Sequence, residues 1–298
     1  MEGELCKGLY IKLILATFFW GGTFIAGKTA AAEIGGIVTA LYRFILSSAI
    51  FLVLIPARYK KWPKIKTKDY LRVFLLGASG IYAYSLFFYD GLQHIESGRA
   101  GLIVATNPVF TMLLATIFLG ERLTKNMLLG IFMSVVGAMI VFYVKNGGIS
   151  STASGFKGEF MMLGCVFSWV AYTVIGKDLV NKYNSLQITI YACFIGTLLL
   201  FVHVIIAGPG VLAIPSFRST LDITYLALLA TVVGFLWYYD GIEQIGATRT
   251  SQFINLVPIT AIIFGLIMLG EKISLMQIAG GALVIGGIFI ANKRTRPL

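Results

Sequence analysis

Long apolar runs alternate with short polar breaks along the whole chain. Each run holds about 17–22 residues, enough for a helix to cross a hydrocarbon core about 30 Å thick. The runs predict helices over 9–28, 36–56, 70–90, 99–119, 125–144, 159–176, 187–206, 223–240, 249–269 and 274–291. The fold expected is therefore an all-α integral membrane protein with ten transmembrane helices. Most breaks are short. Residues 57–69 form a longer, basic break, and 145–157 read as a flexible linker because of Lys145-Asn146-Gly147-Gly148 and the Ser, Thr and Gly that follow.

The pattern is written twice. Tyr89-Asp90-Gly91, Pro108, Leu119-Gly120-Glu121, Gly130 and Gly137 return as Tyr239-Asp240-Gly241, Pro258, Leu269-Gly270-Glu271, Gly280 and Gly287, all shifted by the same 150 positions. Trp20 and Gly27-Lys28 return as Trp169 and Gly176-Lys177, shifted by 149. Self-similarity on this scale fixes architecture. It divides the chain into a first five-helix repeat over 9–144, the linker 145–157, a second repeat over 158–291 and a basic tail over 292–298. Five crossings is an odd number, so the second repeat is expected upside down relative to the first. Inverted repeats place a binding site at their interface near the bilayer midplane.

Composition agrees with the helix pattern. Of 298 residues, 58% are hydrophobic and 12% charged, with mean hydropathy +0.87. A soluble domain carries about 25% charged residues. The net charge of +11 does not indicate nucleic acid here. Lys and Arg gather in alternate loops, led by Arg58, Lys60, Lys61, Lys64, Lys66, Lys68 and Arg72. By the positive-inside rule both termini are expected in the cytoplasm. The first run is longer than the apolar core of a secretory signal and its motif recurs in the second half, so it is read as a retained helix. Cys6, Cys165 and Cys193 lack metal-ligand spacing, and neither a metal nor a cofactor is expected.

Trp20-Gly21-Gly22-Thr23-Phe24 with Lys28, Tyr42-Arg43-Phe44, and Asn107-Pro108-Val109-Phe110 with Leu119-Gly120-Glu121-Arg122 resemble one EamA domain. Asn255-Leu256-Val257-Pro258 with Leu269-Gly270-Glu271-Lys272 resembles the end of a second. Over nearly its whole length the chain is similar to EamA-type exporters of the drug/metabolite transporter superfamily. The resemblance implies two inverted five-helix repeats in an inner (cytoplasmic) membrane and export of small metabolites such as amino acids. The second half departs from the pattern where Ala192 aligns with Arg43.

Arg43 is the sharpest candidate. An Arg inside a membrane helix costs about 2.5–3.5 kcal/mol on insertion scales, so it faces protein, water or a ligand. It can hold a carboxylate bidentately; the alternative is a structural Arg donating to carbonyls. Trp20 and Trp169 fall near mid-helix, as cavity walls or as packing. Ser79, Tyr82, Ser85 and Tyr89 form a polar stripe at helical spacing on the third helix. Thr106, Asn107 and Thr111 surround Pro108, and Thr248, Ser251, Gln252 and Asn255 precede Pro258. A mid-helix Pro frees the carbonyl four residues earlier, here Val104 and Ile254. Pro108 and Pro258 are read as gating hinges, with a fixed packing kink as the alternative. The substrate-binding set is thus Arg43, Trp20, Trp169, Tyr82, Ser85, Tyr89, Asn107, Gln252 and Asn255.

Gly120-Glu121 and Gly270-Glu271 are expected at helix ends, with Thr124 and Ser274 capping the following helices. Asp90 and Asp240 are expected in turns. Gly130, Ser134, Gly137, Gly280 and Gly287 suit close helix packing, internal or at a dimer seam. No Asp or Glu lies near mid-helix, which favours substrate-driven movement or exchange over proton coupling. Small-molecule substrate and lipid are the expected partners. Phosphorylated or nucleotide-type substrates would want more buried cations, a channel-like facilitator is a further alternative, and no catalytic constellation appears.

Overall fold

A computed structural model describes residues 2–58, 63–94, 100, 103–145, 156–208, 210, 212–257, 259–260 and 275–293. Pro258, Arg99, Gly270-Glu271, Ser274 and most of the linker lie outside them. Among the described residues there is no strand. The helices are α1 (Glu2–Ile34), α2 (Gly36–Arg58), α3 (Thr67–His94), α4 (Asn107–Leu119), α5 (Lys125–Lys145), α6 (Lys157–Tyr183), α7 (Ser185–Ala207), α8 (Phe217–Ile245), α9 (Ala247–Ser251, continued by a 3-10 run Gln252–Leu256) and α10 (Leu275–Asn292). Six of them, α1, α2, α3, α6, α7 and α8, are long and apolar enough to cross a bilayer by length and composition. Stretches of α4, α5 and α10 form shorter apolar helices.

The surface is inverted relative to a soluble protein. Phe118, Phe160, Ile206 and Phe289 are exposed, whereas Ser47, Asn107, Thr111, Gln252 and Asn255 are buried. Lipid, not water, suits such an exterior, while backbone polar groups are satisfied inside the helices.

Turn chemistry sets the short connections. Gly35 (φ 83°) separates α1 from α2, and Gly246 (φ 90°) separates α8 from α9; both sit in the left-handed region that a Cβ disfavours. Gly120 closes α4 with φ 64°. Thr124 Oγ1 then accepts the Met127 N–H at 3.2 Å and caps α5 as expected.

Helix ends run beyond the apolar stretches. α1, α3 and α8 all exceed their predicted spans, because apolarity marks the lipid-facing part while hydrogen bonding continues past it. Asp90 and Asp240 consequently lie inside α3 and α8, not in turns. Asp90 is 3.7 Å from Lys157 Nζ and 3.6 Å from His94 Nδ1; Asp240 receives Lys12 Nζ at 3.0 Å and the Ser185 hydroxyl at 2.6 Å. The fourth helix is corrected too. It restarts at Asn107, with Pro108 in its first turn after a break at Ala105-Thr106. Pro108 is favourable there because the first-turn N–H has no helical partner anyway.

Both α3 and α8 contain a π-helical stretch, at Ala78–Ala83 and at Leu226–Val233. The two stretches overlap when the 150-position shift is applied. α5 and α10 cross antiparallel: a Cβ on Gly137 would lie 2.5 Å from the Gly280 carbonyl oxygen, and one on Gly287 would lie 2.5 Å from that of Gly130. Between these points Ser134 Oγ donates to the Val284 carbonyl at 3.3 Å. The small-residue seam expected from the sequence is thus internal to one chain.

Side-chain contacts sort the connections onto two ends of the bundle. At the end carrying the start of α1, Lys12 meets Asp240, Asp69 accepts the Tyr183 hydroxyl at 2.7 Å, and Gln187 donates to the Lys64 carbonyl at 2.9 Å. At the other end Glu33 accepts the Ser216 N–H at 2.6 Å, and Tyr42 donates to the Ala213 carbonyl at 3.1 Å.

Candidate functional site

A central cavity of about 50 Å³ lies where α1, α2, α3, α4, α6 and α8 converge, with Ile254 and Val257 closing one side. Its walls are largely aromatic: Trp20, Phe24, Tyr84, Phe88, Trp169 and Phe235. Arg43 and Asn107 supply polarity, and among the described residues no carboxylate lines it. The volume exceeds what one water needs, yet it is small beside a typical ligand pocket of about 300–1,000 Å³.

The π turn of α8 builds the polar wall. A π turn bonds i to i+5 and leaves carbonyls free of ordinary helical partners. Trp20 Nε1 donates to the Ala230 carbonyl at 2.8 Å, and Ser47 Oγ donates to that of Ala227 at 3.2 Å. Thr231 Oγ1 donates to the Leu226 carbonyl, five residues back, at 2.9 Å, and accepts Arg43 Nε at 2.7 Å. The guanidinium also lies 5.0 Å from the Phe44 ring centroid. Arg43 is only 5% exposed and forms no ion pair with any carboxylate among the described residues. Thr231 was absent from the sequence-derived set. Nothing in hydropathy marks a π turn, and Thr231 lies 188 positions from Arg43, so no local sequence signal joined the two.

Trp20 and Trp169 are equivalent in the repeat and touch edge-to-face, with ring centroids 5.2 Å apart. Their polar ends differ. Trp20 has its carbonyl, whereas the buried Trp169 N–H has no hydrogen bond of ordinary geometry. Asn107, at the start of α4, reaches the cavity and accepts Thr111 Oγ1 at 3.1 Å. A helix start carries partial positive charge and free N–H groups, so α4 adds to the attraction of Arg43 for an anion.

The rest of the predicted set is dispersed. Tyr82 bonds His203 Nδ1 at 2.9 Å, away from the cavity, and Ser85 is buried outside the lining. The π turn of α3 shifts the register, so Tyr84 and Phe88 face the cavity instead of the expected stripe. Tyr89 packs against Gly36 and Gly27 and approaches Arg43 without an ordinary hydrogen bond. Gln252 and Asn255 are 0% exposed, and both ends of both amides lack hydrogen-bond partners. Buried amides inside a membrane call for water or ligand. Pro108 is buried beside Asn107; Pro258 lies outside the described residues.

At the end carrying the start of α1, a cleft of about 640 Å³ is lined by Arg72, Phe118, Glu121, Lys177, Asp178 and Asn181, among others. Arg72 pairs with Asp178, which also receives Lys182 at 2.8 Å. Among the described residues, no group of three or more His, Cys, Asp or Glu side chains could hold a metal ion.

Comparison with known proteins supplies the frame for these features. The model of the EamA-like transporter family matches residues 8–143 and again 156–293. The uncharacterized transporter YyaM of Bacillus subtilis is 30% identical over 287 residues, covering 95% of this chain and 93% of that protein. A probable terminal-alkyne amino-acid exporter of Streptantibioticus cattleyicolor is 28% identical over 292 residues, covering 98% and 95%. One solved crystal structure shares the fold with a TM-score of 0.81 at 18% identity, covering 96% of both chains.

Proposed function

Because it belongs to the EamA-like transporter family along both halves of its length, we propose that this membrane protein exports small metabolites bearing a carboxylate, amino acids foremost, by alternating access. The frame proposed is ten transmembrane helices in two inverted five-helix repeats, over 9–144 and 158–291. Three contacts between equivalent residues support it: Trp20 with Trp169, Ser48 with Thr197 at 2.9 Å, and Ser134 with Val284 at 3.3 Å. A residue touching its own counterpart lies on the axis relating the halves. The antiparallel crossing of α5 and α10 supports an inverted relation. With both termini in the cytoplasm of a bacterial or archaeal cell, the end carrying the start of α1 faces inward.

The observation carrying the substrate reading is Arg43: buried, without a carboxylate partner among the described residues, at the edge of an aromatic cavity. A buried unpaired cation is costly and attracts an anionic ligand. One Arg and one helix start suit a carboxylate. A phosphorylated metabolite would want more positive charge than the one cationic side chain that lines the cavity among the described residues. The Trp and Tyr faces suit the apolar part of an amino acid, and can also face its ammonium group. Gln252 and Asn255 are available to water or substrate when the cavity widens. Pro108, and Pro258 by the repeat, are proposed as hinges. Among the described residues no carboxylate lines the cavity, which supports movement driven by the substrate's own gradient or by exchange.

The test is stabilisation of the purified protein by a panel of amino acids, their decarboxylated amines and their amides. Carboxylate-bearing compounds raise the melting temperature and the matching amines do not. Equal effects of acid and amine would reject the carboxylate reading.

A further inference from the structure

The single-residue turn between α8 and α9 is held from both sides by side chains of other elements. Lys177 on α6 donates Nζ to the Ile242 carbonyl at 2.7 Å and to that of Glu243 at 3.4 Å. Glu121, just after α4, accepts the Ala247 N–H at 2.7 Å and the Thr248 N–H at 3.1 Å. Each charge matches the helix end it grips: a cation on the last carbonyls of α8, an anion on the first N–H groups of α9. Gly246 between them has φ 90°, and a Cβ there would lie 2.9 Å from Glu121 Oε1. The clamp ties the second half, through this turn, to the connection that follows α4 in the first. Both of its arms line the 640 Å³ cleft.

The repeat supplies a counterpart that is not engaged. Lys28 on α1 corresponds to Lys177, and Leu92 and Gln93 at the end of α3 correspond to Ile242 and Glu243. Lys28 is exposed and makes no hydrogen bond or ion pair among the described residues. The helix packing differs in step. A Cβ on Gly176 would overlap the Tyr239 ring, whereas one on the equivalent Gly27 would sit 3.5 Å from the Tyr89 ring, an ordinary contact. α6 and α8 are therefore closed tightly together beside an engaged lysine. α1 and α3 are looser beside a free one.

We infer that Lys177 and Lys28 are positioning residues for two gates at opposite ends of the molecule, engaged in turn. In the state described, Lys177 holds the α8–α9 turn shut. In the opposite state Lys28 takes the Leu92 and Gln93 carbonyls as α1 closes on α3, and Lys177 lets go. This rests on the alternating-access reading but not on the carboxylate role of Arg43.

Hydrogen exchange of the full-length protein in lipid nanodiscs, without substrate, tests it. Lys177→Met is expected to speed amide exchange over residues 243–248 by about tenfold and to slow it over 90–94. Lys28→Met is expected to do the reverse. Glu121→Gln follows Lys177→Met in direction with smaller amplitude, and Lys177→Arg restores the native profile. Loosening confined to the mutated end, with no opposite change at the far end, marks a merely structural lysine and overturns the proposal; so does no change at either end. If Lys177→Met does not fold, Glu121→Gln and Lys28→Met decide by the same reciprocity. Because no substrate is present, failure here leaves the Arg43 reading standing, and failure at Arg43 leaves the gates standing.

Discussion

The α5–α10 crossing and the central cavity are built from the same duplicated sequence, yet one keeps the symmetry and the other breaks it. At the crossing, Gly130 faces Gly287, Gly137 faces Gly280, and Ser134 meets its own counterpart Val284. Swapping the two copies would change little. In the cavity, Arg43 has Ala192 as its counterpart, and the two Trp residues differ in whether the indole N–H is bonded. Close packing of two helices needs only small residues at matching places. Recognition of an asymmetric molecule needs different groups on its two sides. Duplication supplies the frame, and divergence within it supplies the chemistry.

The comparison breaks most visibly at the crossing. Gly137→Leu drives a side chain into the Gly280 carbonyl, a backbone atom that cannot step aside. Overpacking costs about 1–3 kcal/mol or more in well-packed interiors. Loss of the monodisperse folded peak in detergent is expected; Gly286→Leu, whose Cβ would meet only the end of the Met133 side chain at 3.7 Å, should be tolerated. Equal tolerance of both would remove the claim that the seam is closed by glycine.

Next in size is the divergent pair inside the cavity. Trp20→Phe leaves the Ala230 carbonyl without its partner, at a cost of about 1–3 kcal/mol for a buried unsatisfied group. Trp169→Phe removes an N–H that has no such bond and should cost less. Thermal unfolding in one detergent compares the two directly; identical shifts would mean that the indoles are interchangeable.

A smaller effect is expected from Thr231→Val. The substitution keeps the volume but removes the acceptor of Arg43 Nε. Substrate affinity should fall by about tenfold, about 1.4 kcal/mol, while the fold persists. Titration of substrate-induced stabilisation checks this. The smallest is Glu33→Gln, which weakens a charge-assisted contact to Ser216 at the start of α8. Only a slight fall in melting temperature is expected, because the carboxylate is open to water and its contacts are screened.

Much of the scaffold was legible because membrane helices announce themselves by long apolar runs and because the repeat fixed equivalent positions. The cap at Thr124 and the left-handed Gly120 were readable from local chemistry. The interior of the helices was not. A π turn inserts one residue without any mark in composition, so the α3 stripe of Ser79, Tyr82, Ser85 and Tyr89 was drawn with an unbroken period. Tyr84 and Phe88 face the cavity instead. Thr231 was invisible for the same reason. Pro108 was read as a kink in a continuous helix, but the chain breaks before it and begins a new one. Asp90 and Asp240 looked like turn residues because each precedes Gly; helical hydrogen bonding runs on past both, and they pair there with Lys157 and Lys12. The Glu121 grip on another helix joins residues 126 positions apart, beyond any local pattern.

The central claim is that one unpaired cation, present in only one copy of the repeat, holds the substrate's carboxylate. Counterflow of radiolabelled amino acid into liposomes containing wild-type protein, Arg43→Lys or Arg43→Ala tests it most directly. The account predicts robust uptake by the wild type, partial uptake with Lys, and a loss of about a hundredfold or more with Ala, whose folded peak is unchanged. Undiminished counterflow by a folded Arg43→Ala protein would contradict it.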